Sequence, residues 1–168
     1  MAVAALSDIS HTASNPIELV EQIATAHDWT FERSTDEEMV VEFAGSWGDY
    51  RMFFSWLDEL SALHFACGFE LTVPEHRRPA INDLLARINE RLPVGHFDLW
   101  SDRGLPVFRH ALLLRGASAV SVEQVEDLVE IASTECERYY AAFQFVVWGG
   151  KTPAEAVDAA LVETVGEA

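Results

Sequence analysis

Between Ser121 and Gly149 the chain repeats apolar residues at steps of three and four: Val122, Val125, Leu128, Val129, Ala132, Cys136, Tyr139, Tyr140, Phe143, Val146 and Val147. Only a helix gathers that spacing on one side. Glu126, Asp127, Glu130, Glu135, Glu137 and Arg138 fall on the opposite side, which suits water. Ser121 with Gln124 three residues on is a capping box, and Gly149-Gly150 is the stop signal. At about 1.5 Å per residue such a helix is roughly 40 Å long. A stripe of that length has to cover a broad apolar surface, and the rest of the chain must build it.

The upstream segments predict that surface. After a small, polar tail over residues 1–14, Asn15-Pro16-Ile17-Glu18 starts a helix that buries Ile17, Val20, Ile23, Ala24 and His27 and ends at Asp28. Four strand-like runs follow, with short turns that predict an antiparallel meander. They are 29–33, 39–44, 50–56 and 63–71. Alternation puts Met39, Val41 and Phe43 on one face, joined by Tyr50, Met52, Phe54 and Trp56, then Leu63, Phe65, Cys67, Phe69 and Leu71. Pro74 opens a second helix with the stripe Ala80, Ile81, Leu84, Leu85, Ile88 and Leu92, its regular part starting near residue 78 because of Pro79, and Pro93 closes it. A hairpin of 95–100 and 107–115 turns at Asp102-Arg103-Gly104. The long helix follows, and Thr152-Pro153-Ala154-Glu155 caps a short last one ending near Val162. The order α-β-β-β-β-α-β-β-α-α predicts an α+β fold, an antiparallel sheet with helices on one face, in a single domain over 15–165.

Charge narrows the partners. A formal net charge of −17 over 168 residues repels phosphate backbones, so nucleic acid and anionic membrane are expected to be poor partners. It favours solubility, and it attracts basic segments of other proteins. No eighteen apolar residues run together, so no membrane span is expected, and the N-terminus lacks a basic region followed by an apolar run. These features predict a cytoplasmic protein. Cys67 and Cys136, far apart and both in apolar register, read as buried thiols.

Reaction chemistry is hard to find. The chain has no phosphate-cradling glycine loop, Cys-x-x-Cys pair, His-Glu-x-x-His or Gly-x-Ser-x-Gly elbow. Gly45-Ser46-Trp47-Gly48 joins two strands and reads as a turn. His64, His96 and His110 lie on strands, where three imidazoles could hold zinc. Alternation, however, sets His110 on an apolar face away from the other two, and the spacing matches no ligand pattern. Asp36-Glu37-Glu38 and Asp58-Glu59 read as solvated turns, Cys67 is buried between Phe65 and Phe69, and Tyr139-Tyr140 reads as packing against the sheet. No metal, cofactor or catalytic residue is expected. One feature exceeds a plain scaffold. Phe53 and Trp100, with Val107 or Leu113, fall on the sheet face turned away from the helices and leave an apolar patch. Phe53, Trp100 and Arg109 are the residues expected to touch a partner, and the sheet edges could also receive a peptide.

The second half carries a resemblance. Ile88-Asn89-Glu90-Arg91-Leu92-Pro93-Val94-Gly95-His96-Phe97-Asp98-Leu99 and Val107-Phe108-Arg109 resemble the YbjN family of bacterial proteins. Glu137-Arg138-Tyr139-Tyr140 and Gly149-Gly150-Lys151-Thr152-Pro153-Ala154-Glu155-Ala156 resemble its closing helix and tail. The likeness spans roughly residues 17–162. It implies a fold similar to type III secretion chaperones, small acidic proteins that dimerise and hold unfolded segments of effectors. It also implies the family's label of sensory transduction regulator, and it supplies no catalytic residue. The expectation is a non-enzymatic, chaperone-like homodimer acting in regulation on a basic or partly unfolded protein partner. Two alternatives stand beside it. One is a small-ligand sensor or enzyme with a pocket between sheet and long helix, using His64, His96 or Glu70. The other is an assembly subunit with no ligand of its own.

Overall fold

The computed structural model describes residues 13–166. Its elements are α1 (Ile17–Ala26), β1 (Thr30–Arg33), β2 (Glu38–Ala44), β3 (Asp49–Leu57), β4 (Ala62–Phe69), α2 (Arg78–Asn89), β5 (His96–Trp100), β6 (Leu105–Leu113), α3 (Val122–Val147) and α4 (Pro153–Gly166). They follow the expected order, and all six strands join one antiparallel sheet in the order β1-β2-β3-β4-β6-β5. The first four strands form the meander. The β5–β6 hairpin then adds to the β4 edge through β6, which leaves β5 outermost. Because β4 and β5 are each antiparallel to β6, they run parallel to one another, and α2 makes the crossover between them.

Strand alternation decides what each face is. Met39, Val41, Tyr50, Met52, Phe54, Trp56, Leu63, Phe65, Cys67, Phe69, Phe97 and Phe108 are all buried under the helices. The long α3 lays its stripe on them, and ring contacts fix the fit. Phe97 meets Phe143 at 5.6 Å and Tyr139 at 6.0 Å, and Phe69 meets Phe143 at 5.4 Å. Cys67 and Cys136 meet at the same interface, both buried and free, with sulfurs 3.8 Å apart. Burial pushes the Cys136 thiol well above its ordinary value, and the neighbouring Cys67 adds to this.

The ends of the helices follow their caps. Ser121 Oγ accepts from the Gln124 amide while the Gln124 side chain accepts from the Ser121 amide. Thr152 and Glu155 repeat the arrangement at α4. Gly150, at φ +68°, lets the chain leave α3 while the Lys151 amide returns to the Phe145 carbonyl.

Several expectations shift. The tail was expected to reach residue 14. Residues 1–12 of it lie outside the described residues, but Ala13 is buried and the Ser14 amide donates to the Ser118 carbonyl. His27 is not an inner residue of α1. The helix stops at Ala26, and the exposed His27 ring stacks on Trp29 at 4.8 Å and pairs with Glu126 at 3.1 Å. Val122, expected in the stripe, is 41% exposed because it precedes the first turn that reaches the sheet. β6 starts two residues early, at Leu105, and takes in Pro106. That proline pairs with Leu99 of β5 but lies past the last β4 partner, Gly68 opposite Val107, so its missing N–H costs the β4 ladder nothing. Finally, α4 runs to Gly166 instead of ending near Val162.

Candidate binding face

The sheet has a second face, and no helix among the described residues covers it. Register places Val40, Phe53, Ala66, Arg109 and His96 in one row across β2, β3, β4, β6 and β5. Small residues floor its centre: Ala62, Ala66 and Val107 are buried and Gly68 is half-buried. Phe53 and Trp100 reach over this floor from strands three places apart, with ring centroids 5.4 Å apart and planes at 58°. Beside them lies a cavity of about 470 Å³ lined by Phe53, Leu99, Trp100, Ser101, Asp102 and Arg103.

Arg109 crosses the same floor and is held from both sides. Its Nη1 donates to Asp98 Oδ2 at 2.9 Å, and its Nε and Nη2 lie 3.4 Å from His64 Nε2. Asp98 uses its other oxygen to accept from the Leu99 amide. In this geometry the His64 ring accepts and is therefore neutral. Burial holds its pKa below the ordinary histidine value, and the Arg109 and His96 charges push the same way. Burial, with His96 second, lowers His110 as well.

Those shifts set a pH dependence. Unfolded, both rings titrate near pH 6.5, above their folded values. The stability they confer is complete above that value and is lost as pH falls from it towards the folded pKa values. Stability should therefore decline between about pH 7 and pH 5, and a His64→Gln, His110→Gln chain should decline less steeply. Urea midpoints across that range measure this, and parallel slopes in the two chains would contradict the assignment.

The three residues expected to meet a partner are thus on one face, with Phe53 and Trp100 in contact and Arg109 anchored nearby by Asp98. Two others change standing. Val107 belongs to the floor and is fully buried, so it offers nothing to a partner, whereas Leu113 is 79% exposed. Sequence reasoning missed Leu57 and Leu60, exposed by 42% and 65%. The signal existed: the alternation Arg51, Phe53, Ser55 continues one step past Trp56 to Leu57.

The edges are less open than expected. The Asn89 side chain donates to the Phe97 carbonyl and accepts from the Phe97 amide, and Asp98 takes the Leu99 amide. Three outer polar groups of β5, the Phe97 amide and carbonyl and the Leu99 amide, are therefore already occupied where an added strand would bond. At the far side, β1 is four residues long.

The histidines do not converge. His64 and His96 lie on the open face and His110 on the other, and no group of three His, Cys, Asp or Glu side chains placed to hold a metal occurs among the described residues. A pocket under the long helix built from His64, His96 and Glu70 does not form. The first two point away from α3, Glu70 is exposed beyond the end of β4, and Phe97, Phe143 and Tyr139 pack that interface.

The architecture defines a class: an α+β protein whose helices shield one face of a six-stranded antiparallel sheet and leave the other uncovered by the described helices. The chain belongs to the YbjN family, which matches it over residues 16–145 under the description "Putative bacterial sensory transduction regulator". No curated protein matches the chain. Family membership supports a regulatory role. No helix among the described residues is long and apolar enough to cross a membrane.

Proposed function

We propose that this chain is a non-enzymatic, chaperone-like regulator of the cytoplasm, a homodimer that holds a basic or partly unfolded segment of a partner protein on its open sheet face. One observation carries the reading. Two aromatic side chains, Phe53 and Trp100, stand together on a helix-free face beside a 470 Å³ cavity, next to an arginine already fixed by Asp98. Aromatic anchors in a pocket with a polar rim are what a protein interface concentrates its binding energy on. The acidic chain favours a basic partner, and the occupied β5 edge favours binding on the face over strand addition.

The test uses a basic protein unfolded by reduction, whose aggregation scatters light. Stoichiometric wild-type chain should suppress the scattering, and a Phe53→Ala, Trp100→Ala chain should lose most of that effect. Added salt should weaken it too, because the attraction is partly electrostatic. Equal suppression by the wild-type and doubly substituted chains would remove Phe53 and Trp100 from the site. No suppression by either would sink the chaperone-like reading.

A further inference from the structure

At the end of the open face remote from Trp100, the three central strands present a second apolar group. Leu57 of β3 and Leu113 of β6 flank Ala62 of β4 in register, with Leu60 on the connection between β3 and β4. Ala62 is buried, while Leu57, Leu60 and Leu113 are all exposed. The row beside it is Ser55, His64 and Ala111, which adds no carboxylate and no lysine or arginine. In a chain of net charge −17, the leucine row is thus free of fixed charge, while in the row beside it the Arg109 guanidinium reaches His64 and Glu38 stands opposite Ser55. Both signs stand at the margin: Asp58 and Glu59 follow Leu57, and Arg115 lies two residues beyond Leu113. Neither Glu59 nor Arg115 forms an ion pair among the described residues.

We propose that this leucine row is where a second copy of the chain docks, about a two-fold axis. The proposal locates the pairing of copies in the reading above and rests on it, at the opposite end of the face from Phe53 and Trp100. Charge selects the occupant. A basic partner gains most where carboxylates are dense, whereas an equally acidic copy is repelled everywhere except where fixed charge is missing. A two-fold interface brings the same patch from both copies together, so each residue contacts its partner's complement twice. Arg115 of one copy then meets Glu59 or Asp58 of the other, and the reverse. Three strands at about 4.8 Å spacing and two rows of side chains make a small contact, well under the roughly 800 Å² per partner of a stable dimer, so the pairing is weak and concentration-dependent.

Sedimentation velocity of the full chain over roughly 1–200 μM reads this directly. The expected result is a shift from monomer towards twice the monomer mass as concentration rises. Leu113→Asp should hold the chain at monomer mass. The side chain is largely exposed, and an unchanged melting curve would confirm the fold. Arg115→Glu should weaken pairing by roughly threefold to tenfold, since the two-fold repeats one exposed charge pair, and adding Glu59→Arg to it should restore the wild-type value. A wild-type chain that stays monomeric throughout overturns the proposal. A dimer indifferent to Leu113→Asp overturns it equally. A monomer that still suppresses aggregation sinks only the self-docking face. A Leu113-dependent dimer that suppresses none sinks only the chaperone-like reading.

Discussion

Phe97→Ala should destabilise the chain by about 3–5 kcal/mol, the range for deleting a large aromatic from a closed core. Phe97 is 2% exposed and joins three elements: its ring lies 5.6 Å from Phe108 of the neighbouring strand, 5.6 Å from Phe143 and 6.0 Å from Tyr139 of α3. Removing it leaves a void walled by other rings, which are themselves buried and cannot collapse into the space. For a domain of this size the melting temperature should fall by roughly 10 °C or more. Phe97→Leu keeps most of the volume and should cost much less. If Phe97→Ala melts within about 2 °C of wild type, α3 does not close on β5 as described.

Gly95→Ala should cost about 2–4 kcal/mol, although it adds a single methyl group. Two effects add. Gly95 sits at φ +69°, where a side chain strains the backbone. Its Cβ would also stand 2.2 Å from Phe108 Cζ and 2.9 Å from the Arg109 carbonyl oxygen. The ring cannot swing away, because Phe108 is fully buried with Phe97 against it, and the carbonyl belongs to the β6 backbone. Urea unfolding should show a lower midpoint at an unchanged slope. The binding face should suffer too, since the displaced segment carries Arg109 and leads into His96 and Asp98. An unfolding free energy within about 0.5 kcal/mol of wild type would mean that Gly95 is not pressed against Phe108.

These two positions show how differently the sequence exposes its constraints. Phe97 was readable as a core residue from alternation with His96 and Asp98. Gly95 was readable only as a strand boundary, because its close approach to Phe108 depends on how β5 turns in from α2. The candidate site divides in the same way. Parity placed Phe53, Trp100 and Arg109 on the open face. It could not bring Phe53 and Trp100 within 5.4 Å of each other, since they belong to strands separated by β4 and β6. Nor could it separate Val107, which is floor, from Leu113, which is exposed. Both have the same parity, and only the neighbours overhead differ.

What the sequence alone determined is local and periodic: the six strands, the stripe of α3, its capping box, the buried thiols and which residues share a face. Periods of 2 and 3.6 are written in successive residues, so they survive without knowledge of the partner surface. The tertiary structure decided everything that depends on which distant segments meet. It set the β5–β6 hairpin on the β4 edge, because α2 crosses over to bring β5 back parallel to β4. It closed that new edge with Asn89. It also moved His27 out to Glu126 and left Leu57, Leu60 and Leu113 as an uncovered group at one end of the sheet. Contacts between residues tens of positions apart carry no period, so only the folded chain records them.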